Sequence, residues 1–115
     1  MIVCIPINPD GTVDHRWGKA HSVALAAVDG GAIRTWTVNE VEWDRLHDEG
    51  TEGSHHARVV RFLREHDVTD VLAGHMGGGM QTTLGKLGVR VRLGAAGDAR
   101  AAVESLAASS EDQPS

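Results

Sequence analysis

The chain has 115 residues, enough for one domain and hardly for two. Hydrophobic residues make up 41% of the sequence and charged residues 23%, a composition typical of a folded globular domain and not of a disordered chain. No apolar stretch approaches the roughly 20 residues that a membrane-spanning helix needs. The single cysteine, Cys4, excludes an internal disulfide and a four-cysteine metal centre, so we expect a cytoplasmic protein.

The formal net charge of −5 has a location in the sequence. Between Glu40 and Glu52, six carboxylates stand against the single guanidinium of Arg45, and outside this acidic segment ten acidic and ten basic residues cancel. Nucleic-acid-binding surfaces are usually strongly basic. We therefore expect neither nucleic acid nor a membrane among the partners.

The first half of the chain predicts three strands. Residues 2–7 form an unbroken apolar run, which is typical of a strand covered on both faces. Residues 22–29 and 33–38 also have strand character, and Gly30-Gly31 between them is a two-residue turn typical of a hairpin. The acidic segment that follows is expected to be mostly irregular.

The second half alternates between helices and strands. Ser54 is a good N-cap for a helix over residues 55–66, and Asp98 for a last helix through Leu106. Between them we expect a strand over 68–74, a helix on which Met80, Leu84 and Leu87 recur at helical spacing, and a strand over 89–93. The domain then covers residues 1–107, and 108–115 form a flexible tail.

This order predicts an α/β domain with a mixed five-stranded sheet and helices on its faces. Strands separated by helices form right-handed parallel crossovers, whereas the early hairpin adds an antiparallel strand. Ligands of such sheets bind beyond the carboxyl ends of the parallel strands. That edge collects the loop after the first strand, the loop before the first helix and the loop after the fourth strand.

Histidines follow the acidic segment directly. His55 and His56 fall in the expected first turn of a helix, where the macrodipole disfavours protonation and so favours the neutral imidazole that binds metals. His47 comes from the carboxylate-rich loop before them. Imidazole and carboxylate ligands suit zinc, iron, copper or nickel, but the same residues also fit a solvated acidic loop with surface histidines.

A glycine-rich segment, residues 74–80, joins the fourth strand to the next helix. Glycines allow close backbone approach, and the N–H groups at a helix start favour an anion. His75 and Met76 add nitrogen and thioether donors there. The segment matches neither a P-loop nor the dinucleotide fingerprint, and a tight turn that needs glycine only for its backbone angles explains it equally well.

The loop after the first strand carries two cations and an aromatic ring. Arg16 and Lys19 are candidates for holding an anionic ligand. Trp17 is more simply explained as a lid over the core. Cys4 lies in a central strand, where we expect an inert packing residue.

Taken together, these loops resemble the dinitrogenase iron–molybdenum cofactor biosynthesis family of nitrogenase accessory domains. The matching pieces are residues 3–7 followed by 15–20, the triplet 54–56, the segment 73–80 and the last strand–helix junction, 93–99. The likeness covers roughly residues 1–106. Order and spacing carry it, since no single motif is diagnostic.

The resemblance implies a three-layer, ribonuclease H-like fold with sheet order 3-2-1-4-5 and an antiparallel second strand. It also implies a carrier or scaffold that binds iron–sulfur or molybdenum-containing clusters without catalysis. As partners we further consider a client metalloprotein and a second copy of the chain in a homodimer. On this hypothesis two groups of residues form the site. The metal ligands are His47, His55, His56 and His75. The remaining cofactor contacts are His15, Arg16, Lys19, Gly77, Gly78, Gly79 and Met80.

Two other functions remain open at this point. The same histidines would serve a mononuclear zinc or iron enzyme in which Glu49 or Glu52 acts as general base on bound water. Alternatively, the chain is a regulatory domain that binds a small anion, and no metal, at the glycine-rich segment.

Overall fold

The computed structural model describes residues 1–112, apart from the side chains of Glu52 and of residues 110–112. A 3-10 turn over Trp17–Lys19 precedes the hairpin of the second and third strands. In chain order the strands and α-helices are β1 (Ile2–Ile7), β2 (Ser22–Asp29), β3 (Ala32–Glu40), α1 (Trp43–Leu46), α2 (Glu52–Glu65), β4 (Asp70–Leu72), α3 (Gly78–Lys86), β5 (Arg90–Arg92) and α4 (Ala99–Asp112).

The five strands form one mixed sheet in the order β3-β2-β1-β4-β5. β2 is antiparallel to both of its neighbours, whereas β1, β4 and β5 are parallel. The predicted hairpin turn is confirmed, because Gly30 and Gly31 both have positive φ angles, of 60° and 78°. The predicted sheet order and three-layer α/β arrangement are confirmed as well.

Apolar side chains form two clusters, one on each face of the sheet. Alternate residues of a strand point to opposite faces, so that Val3 and Ile5 of β1 pack with α4, while Cys4 between them packs with α2 and α3. Val59 and Leu63 of α2 contribute to the same cluster as Cys4. One helix layer therefore covers each face.

Three local predictions were wrong. The N-cap of α2 is Thr51, whose Oγ1 accepts a 3.0 Å hydrogen bond from the backbone N–H of Ser54, so Ser54 lies inside the helix and does not cap it. The acidic segment is not simply irregular, because Trp43–Leu46 form α1 around the buried Trp43 ring. The fourth and fifth strands are shorter than predicted.

The last helix is capped as expected but is longer. The Asp98 carboxylate accepts a 2.9 Å hydrogen bond from the N–H of Ala101. α4 then continues past the predicted end at Leu106 to Asp112, so the first part of the predicted tail is helical. The rest of that tail, residues 113–115, lies outside the described residues. None of the described helices is both long and apolar enough to cross a membrane.

Candidate functional site

A cavity of about 440 Å³ lies at the edge of the sheet where β1 and β4 end. Its walls come from four segments: the loop after β1, the end of α1, the beginning of α2 and the turn from β4 into α3. The lining residues are His15, Arg16, Trp17, Gly18, Lys19, His47, His55, His56, His75, Met76, Gly77, Gly79 and Met80.

The cavity brings together the predicted site residues. All of them line it except Gly78, the first residue of α3. Trp17 and Gly18 also line the cavity, although neither was predicted as a site residue. Met76, which was noted as a thioether donor but not included in the predicted site, lines it as well. The structure thus brings the predicted site residues, apart from Gly78, to one cavity, while their roles as ligands stay predictions.

Gly74 allows the loop after β5 to lie against the end of β4. A Cβ atom on Gly74 would be 3.1 Å from the carbonyl oxygen of Ala95 and 3.7 Å from Cα of His15, both of which are backbone atoms. Because backbone atoms cannot move aside as the end of a flexible side chain can, a larger residue here would push the two segments apart. The glycine therefore sets the approach of the Ala95 segment to the end of β4, while His15 is in ordinary van der Waals contact with the same position.

His55 is buried and uses both ring nitrogens to join three segments. Its Nε2 donates a 2.7 Å hydrogen bond to the carbonyl of Gly18, and its Nδ1 accepts a 2.9 Å hydrogen bond from Nη1 of Arg58. The same Nη1 donates to the carbonyl of Leu46 at 3.0 Å. These bonds match the neutral imidazole with its proton on Nε2. His55 thus acts as a connector in this geometry, with neither nitrogen open for a metal.

His56 has a different environment from its neighbour. Consecutive residues on an α-helix point about 100° apart, so the two side chains cannot follow the same direction. His56 is half-buried, and its Cε1 is 3.7 Å from where a Cβ on Gly79 would stand. The two adjacent histidines therefore contact different segments: His55 binds the loop after β1, and His56 lies against the start of α3.

The other three histidines form the accessible rim of the cavity. His47 is partly buried, its Nδ1 lies 3.0 Å from Oδ1 of Asp48, and its ring centroid is 6.3 Å from that of His55. His15 and His75 are exposed. These rim imidazoles are spread around the opening. Among the described side chains, no group of three or more His, Cys, Asp or Glu residues is arranged to hold a single metal ion.

The floor of the cavity is apolar. Met76 and Met80 are buried, and their thioethers supply soft donor atoms. Trp17 is only 3% exposed and packs edge-on against Trp43 with ring centroids 5.3 Å apart. The prediction that Trp17 covers the core is confirmed, and the same ring also lines the cavity. Its indole Nε1 is buried with no hydrogen-bond partner in the described part of the chain.

The cations differ in their freedom. Nε and Nη2 of Arg16 each donate a 3.2 Å hydrogen bond to the carboxylate of Asp14. Asp14 is only 2% exposed, and its carboxylate also accepts a 3.0 Å hydrogen bond from the backbone N–H of Arg16. Hydrogen bonding and charge attraction by Asp14 raise the pKa of Arg16. The side chain is thereby fixed at the cavity wall, while Lys19 is exposed on the same loop.

The start of α3 presents backbone donors to the cavity. Gly77 occupies the N-cap position but has no side chain that could accept a hydrogen bond from the first N–H groups of the helix. The carbonyl of Gly77 accepts a 3.1 Å hydrogen bond from the N–H of Gln81, which is the first backbone hydrogen bond of the helix. The preceding N–H groups, those of residues 78–80, are the helix-terminal donors that favour an anion.

The cavity wall has a positive character. Of its described lining residues, two are cations, five are histidines and none is Asp or Glu. Two carboxylates of the acidic segment are outside this lining, since Asp48 is highly exposed beside His47 and Glu49 pairs with Arg45 at 3.5 Å. An anionic ligand with a soft surface suits this lining better than a bare cation does.

Cys4 takes no part in the site. It is fully buried in β1, and desolvation raises the pKa of its thiol well above the ordinary range. A thiol that stays protonated is a poor ligand and nucleophile. The structure therefore agrees with an inert packing role.

The chain belongs to the dinitrogenase iron–molybdenum cofactor family, since the model of that family matches residues 1–109. The resemblance noted from the sequence motifs is confirmed by this match. Among curated proteins, none matches this sequence.

A solved structure has the same fold. The crystal structure of the protein PH0822 superimposes with a TM-score of 0.77, covers 95% of this chain and 92% of its own, and is 19% identical in sequence. At that identity, the likeness establishes the fold alone.

Proposed function

We propose that this protein is a carrier or scaffold that holds a preassembled anionic metal–sulfur cluster, of the iron–sulfur or molybdenum-containing type, in the cavity between β1, α2 and α3. The single observation that carries the proposal is the composition of the cavity wall. Imidazoles form its rim, thioethers form its floor, and two cations but no described carboxylate line it. Membership of a family related to the iron–molybdenum cofactor supports the same cargo.

The proposal assigns separate tasks to the lining residues. A preassembled cluster already carries its own sulfide ligands, so the protein needs to supply only one or a few further donors. The accessible imidazoles of His15, His47 and His75 are placed at the rim for this task. Lys19, Arg16 and the N–H groups at the start of α3 offset the negative charge of the cluster. In this scheme His55 positions the loops and is not a ligand.

A non-catalytic role accords with the lack of a carboxylate general base among the described lining residues. Glu49, one of two candidate bases for a metalloenzyme, is paired with Arg45 and does not line the cavity. The side chain of Glu52, the other candidate, is outside the described side chains. The lining therefore favours holding a ligand over turning it over. Its release to a client metalloprotein through the open rim completes the proposed role.

The second candidate function is binding of a small oxyanion without any metal. The uncapped start of α3 favours it, because backbone N–H groups there and the ammonium of Lys19 are the donors that phosphate-type ligands use. The two candidates differ in the need for histidine. A simple oxyanion requires the amides and the lysine, whereas a cluster also requires imidazole ligands.

Anaerobic loading tests the carrier proposal. The purified protein is incubated with ferrous iron and sulfide, or with a preformed iron–sulfur cluster, desalted, and measured for iron, sulfide and visible absorption. We expect retained iron and sulfide in equal amounts in the native chain. We expect strong loss of both in a His47→Ala/His75→Ala variant and no loss in His66→Ala, a matched control on the exposed end of α2.

Each outcome decides between the candidates. Iron bound without sulfide at one equivalent per chain would favour a mononuclear site. Protein that retains neither, but is stabilised against heat by inorganic phosphate or molybdate, would favour oxyanion binding. Equal retention by the double variant and the control would overturn the assignment of the rim histidines.

A further inference from the structure

β3 is an outer strand with one unpaired edge. Within residues 1–112, this nine-residue strand pairs with β2 alone. Unpaired strand edges attract other strands, and proteins normally protect them with charged side chains, proline, bulges or very short strands. The opposite edge of the sheet shows such protection, since β5 has three residues, of which Arg90 and Arg92 are charged.

The exposed edge of β3 lacks these protective features along its centre. Residues 35–39 (Thr-Trp-Thr-Val-Asn) contain neither a charge nor a proline. The only irregularity in the β2–β3 pairing falls between Ala27 and Val28, near the hairpin, and leaves the pairing of residues 35–40 regular. Val38 is 54% exposed and is one of three large hydrophobic residues exposed on the described surface.

The backbone of β3 offers a regular row of hydrogen-bonding groups. The N–H of Val41 donates to the carbonyl of His21 at 3.0 Å, and the register then pairs Ser22 with Glu40. In an antiparallel ladder, hydrogen-bonded and non-hydrogen-bonded pairs alternate. The backbone groups of Trp36, Val38 and Glu40 therefore point away from β2, towards the free edge.

We propose that a second copy of this chain pairs with that edge, β3 against β3 in antiparallel orientation, about a two-fold axis at Thr37. This register places Trp36 opposite Val38 of the second copy, so that the outward backbone groups of both face each other. It also places Arg34 opposite the second copy's Glu40, a pair of opposite charges at each end. Thr35 comes opposite Asn39, and Thr37 opposite itself.

The self-complementarity of β3 identifies a second copy as the occupant. A two-fold axis repeats each contact, so one strand must match its own reverse, and here charge meets opposite charge and apolar meets apolar. The pairing would join two five-stranded sheets into one continuous sheet. β3 contributes no residue to the cavity, so both cavities stay open and the inference is independent of the proposed function.

Sedimentation velocity over a range of protein concentrations tests the proposal. We expect a monomer–dimer equilibrium in the native chain. Val38→Glu places a carboxylate in the centre of the pairing and should raise the dissociation constant by about tenfold or more. Leu93→Glu is the matched control, because Leu93 is an exposed hydrophobic residue near the opposite edge of the sheet and should leave the equilibrium unchanged.

Charge reversal tests the register with variants that keep the strand surface polar. Arg34→Glu and Glu40→Arg each create like charges at both ends and should weaken the dimer, whereas the double variant restores opposite charges and should restore the dimer. Amide exchange gives a second readout: the N–H groups of Trp36 and Val38 should be protected only at concentrations that favour the dimer.

Two results would overturn the proposal. One is a native chain that remains monomeric at every concentration up to the millimolar range. The other is a dimer that tolerates Val38→Glu as well as it tolerates Leu93→Glu. A dimer that Val38→Glu breaks, but that the double charge reversal does not restore, would contradict the axis at Thr37.

Discussion

Arg58 and His55 lie one helical turn apart on α2, with Nη1 of the arginine 2.9 Å from Nδ1 of the histidine. This contact fixes which nitrogen of the imidazole carries the proton and directs Nε2–H to the carbonyl of Gly18. The third bond of the network, to the carbonyl of Leu46, holds the residue immediately before His47. One arginine thus positions two of the segments that line the cavity.

Arg58→Ala should loosen the cavity. Loss of the guanidinium leaves the Leu46 carbonyl and His55 Nδ1 without their donor, and hydrogen bonds to a charged group are worth about 1.5–3 kcal/mol each. We expect the free energy of unfolding, measured with urea, to fall by about 1–2 kcal/mol because the site is partly solvated. The amount of cluster retained should fall with it.

Arg61→Ala is the matched control for this change, because Arg61 is exposed on the same helix. It should change the free energy of unfolding by no more than about 0.5 kcal/mol. Equal effects of the two substitutions would contradict the positioning role of Arg58.

Gly74→Ala should destabilise the fold. The added Cβ would stand 3.1 Å from the carbonyl oxygen of Ala95, so the strand end and the loop must separate. Overpacking of this kind costs about 1–3 kcal/mol. Gly85→Ala is the matched substitution within α3, where nothing lies within 4 Å of the new atom.

Since Gly85 lies in the last turn of α3 and does not have a positive φ angle, its replacement by alanine should stabilise the protein by about 0.5 kcal/mol. Thermal unfolding monitored by circular dichroism compares the two variants. Opposite signs are expected, and a neutral Gly74→Ala would show that the loop after β5, which carries Ala95, is not held by this contact.

Cys4 makes the stability of the protein sensitive to alkaline pH. Burial raises the pKa of its thiol in the folded state, whereas in the unfolded chain the thiol ionises with a pKa of about 8.5. Its contribution to stability is therefore fully present below that pH. As the pH rises further, ionisation favours the unfolded chain, and about 1–2 kcal/mol is lost by pH 10.

Urea unfolding at pH 8 and pH 10 measures this effect, with Cys4→Ala as the comparison. The variant should show a smaller loss between the two pH values, whatever its absolute stability. The chain has no tyrosine, so that common source of alkaline titration is missing. An identical loss in both proteins would contradict the assignment.

Lys19→Ala should weaken binding of an anionic ligand to the cavity. Lys19 is exposed, so the expected reduction in affinity is roughly two- to fivefold at low ionic strength and smaller at high salt. Lys86→Ala removes the only other lysine, which is outside the cavity, and should have no effect. Titration with a preformed iron–sulfur cluster or with molybdate measures both.

Much of the fold follows from local patterns. The apolar run of β1 and the Gly30-Gly31 turn predict the strands and their antiparallel pairing, because strand periodicity and turn angles are local properties. The helix-separated strands predict the parallel part of the sheet through the handedness of crossovers. The N-cap of α2 was misplaced since Thr51 and Ser54 both carry a suitable hydroxyl, and the sequence alone does not rank them.

The composition of the site was predictable, but its internal contacts were not. His55 and Gly18 lie far apart in the sequence, so the hydrogen bond between them depends on how three segments meet. No local pattern predicts the role of Arg58, because the Leu46 carbonyl that it binds comes near only when the end of α1 packs against α2. The two adjacent histidines were expected to act together, whereas the helix geometry directs them to different neighbours.

Only one of the two apolar clusters borders the cavity. Trp17, Met76 and Met80, which form the cavity floor, all belong to the cluster beneath α2 and α3, and α4 packs on the other face of the sheet. Substitutions along α4 should therefore alter how firmly the domain is folded while leaving its selectivity for a ligand intact. Evolution and protein engineering can accordingly vary the α4 layer, or attach other segments to it, without redesigning the cavity.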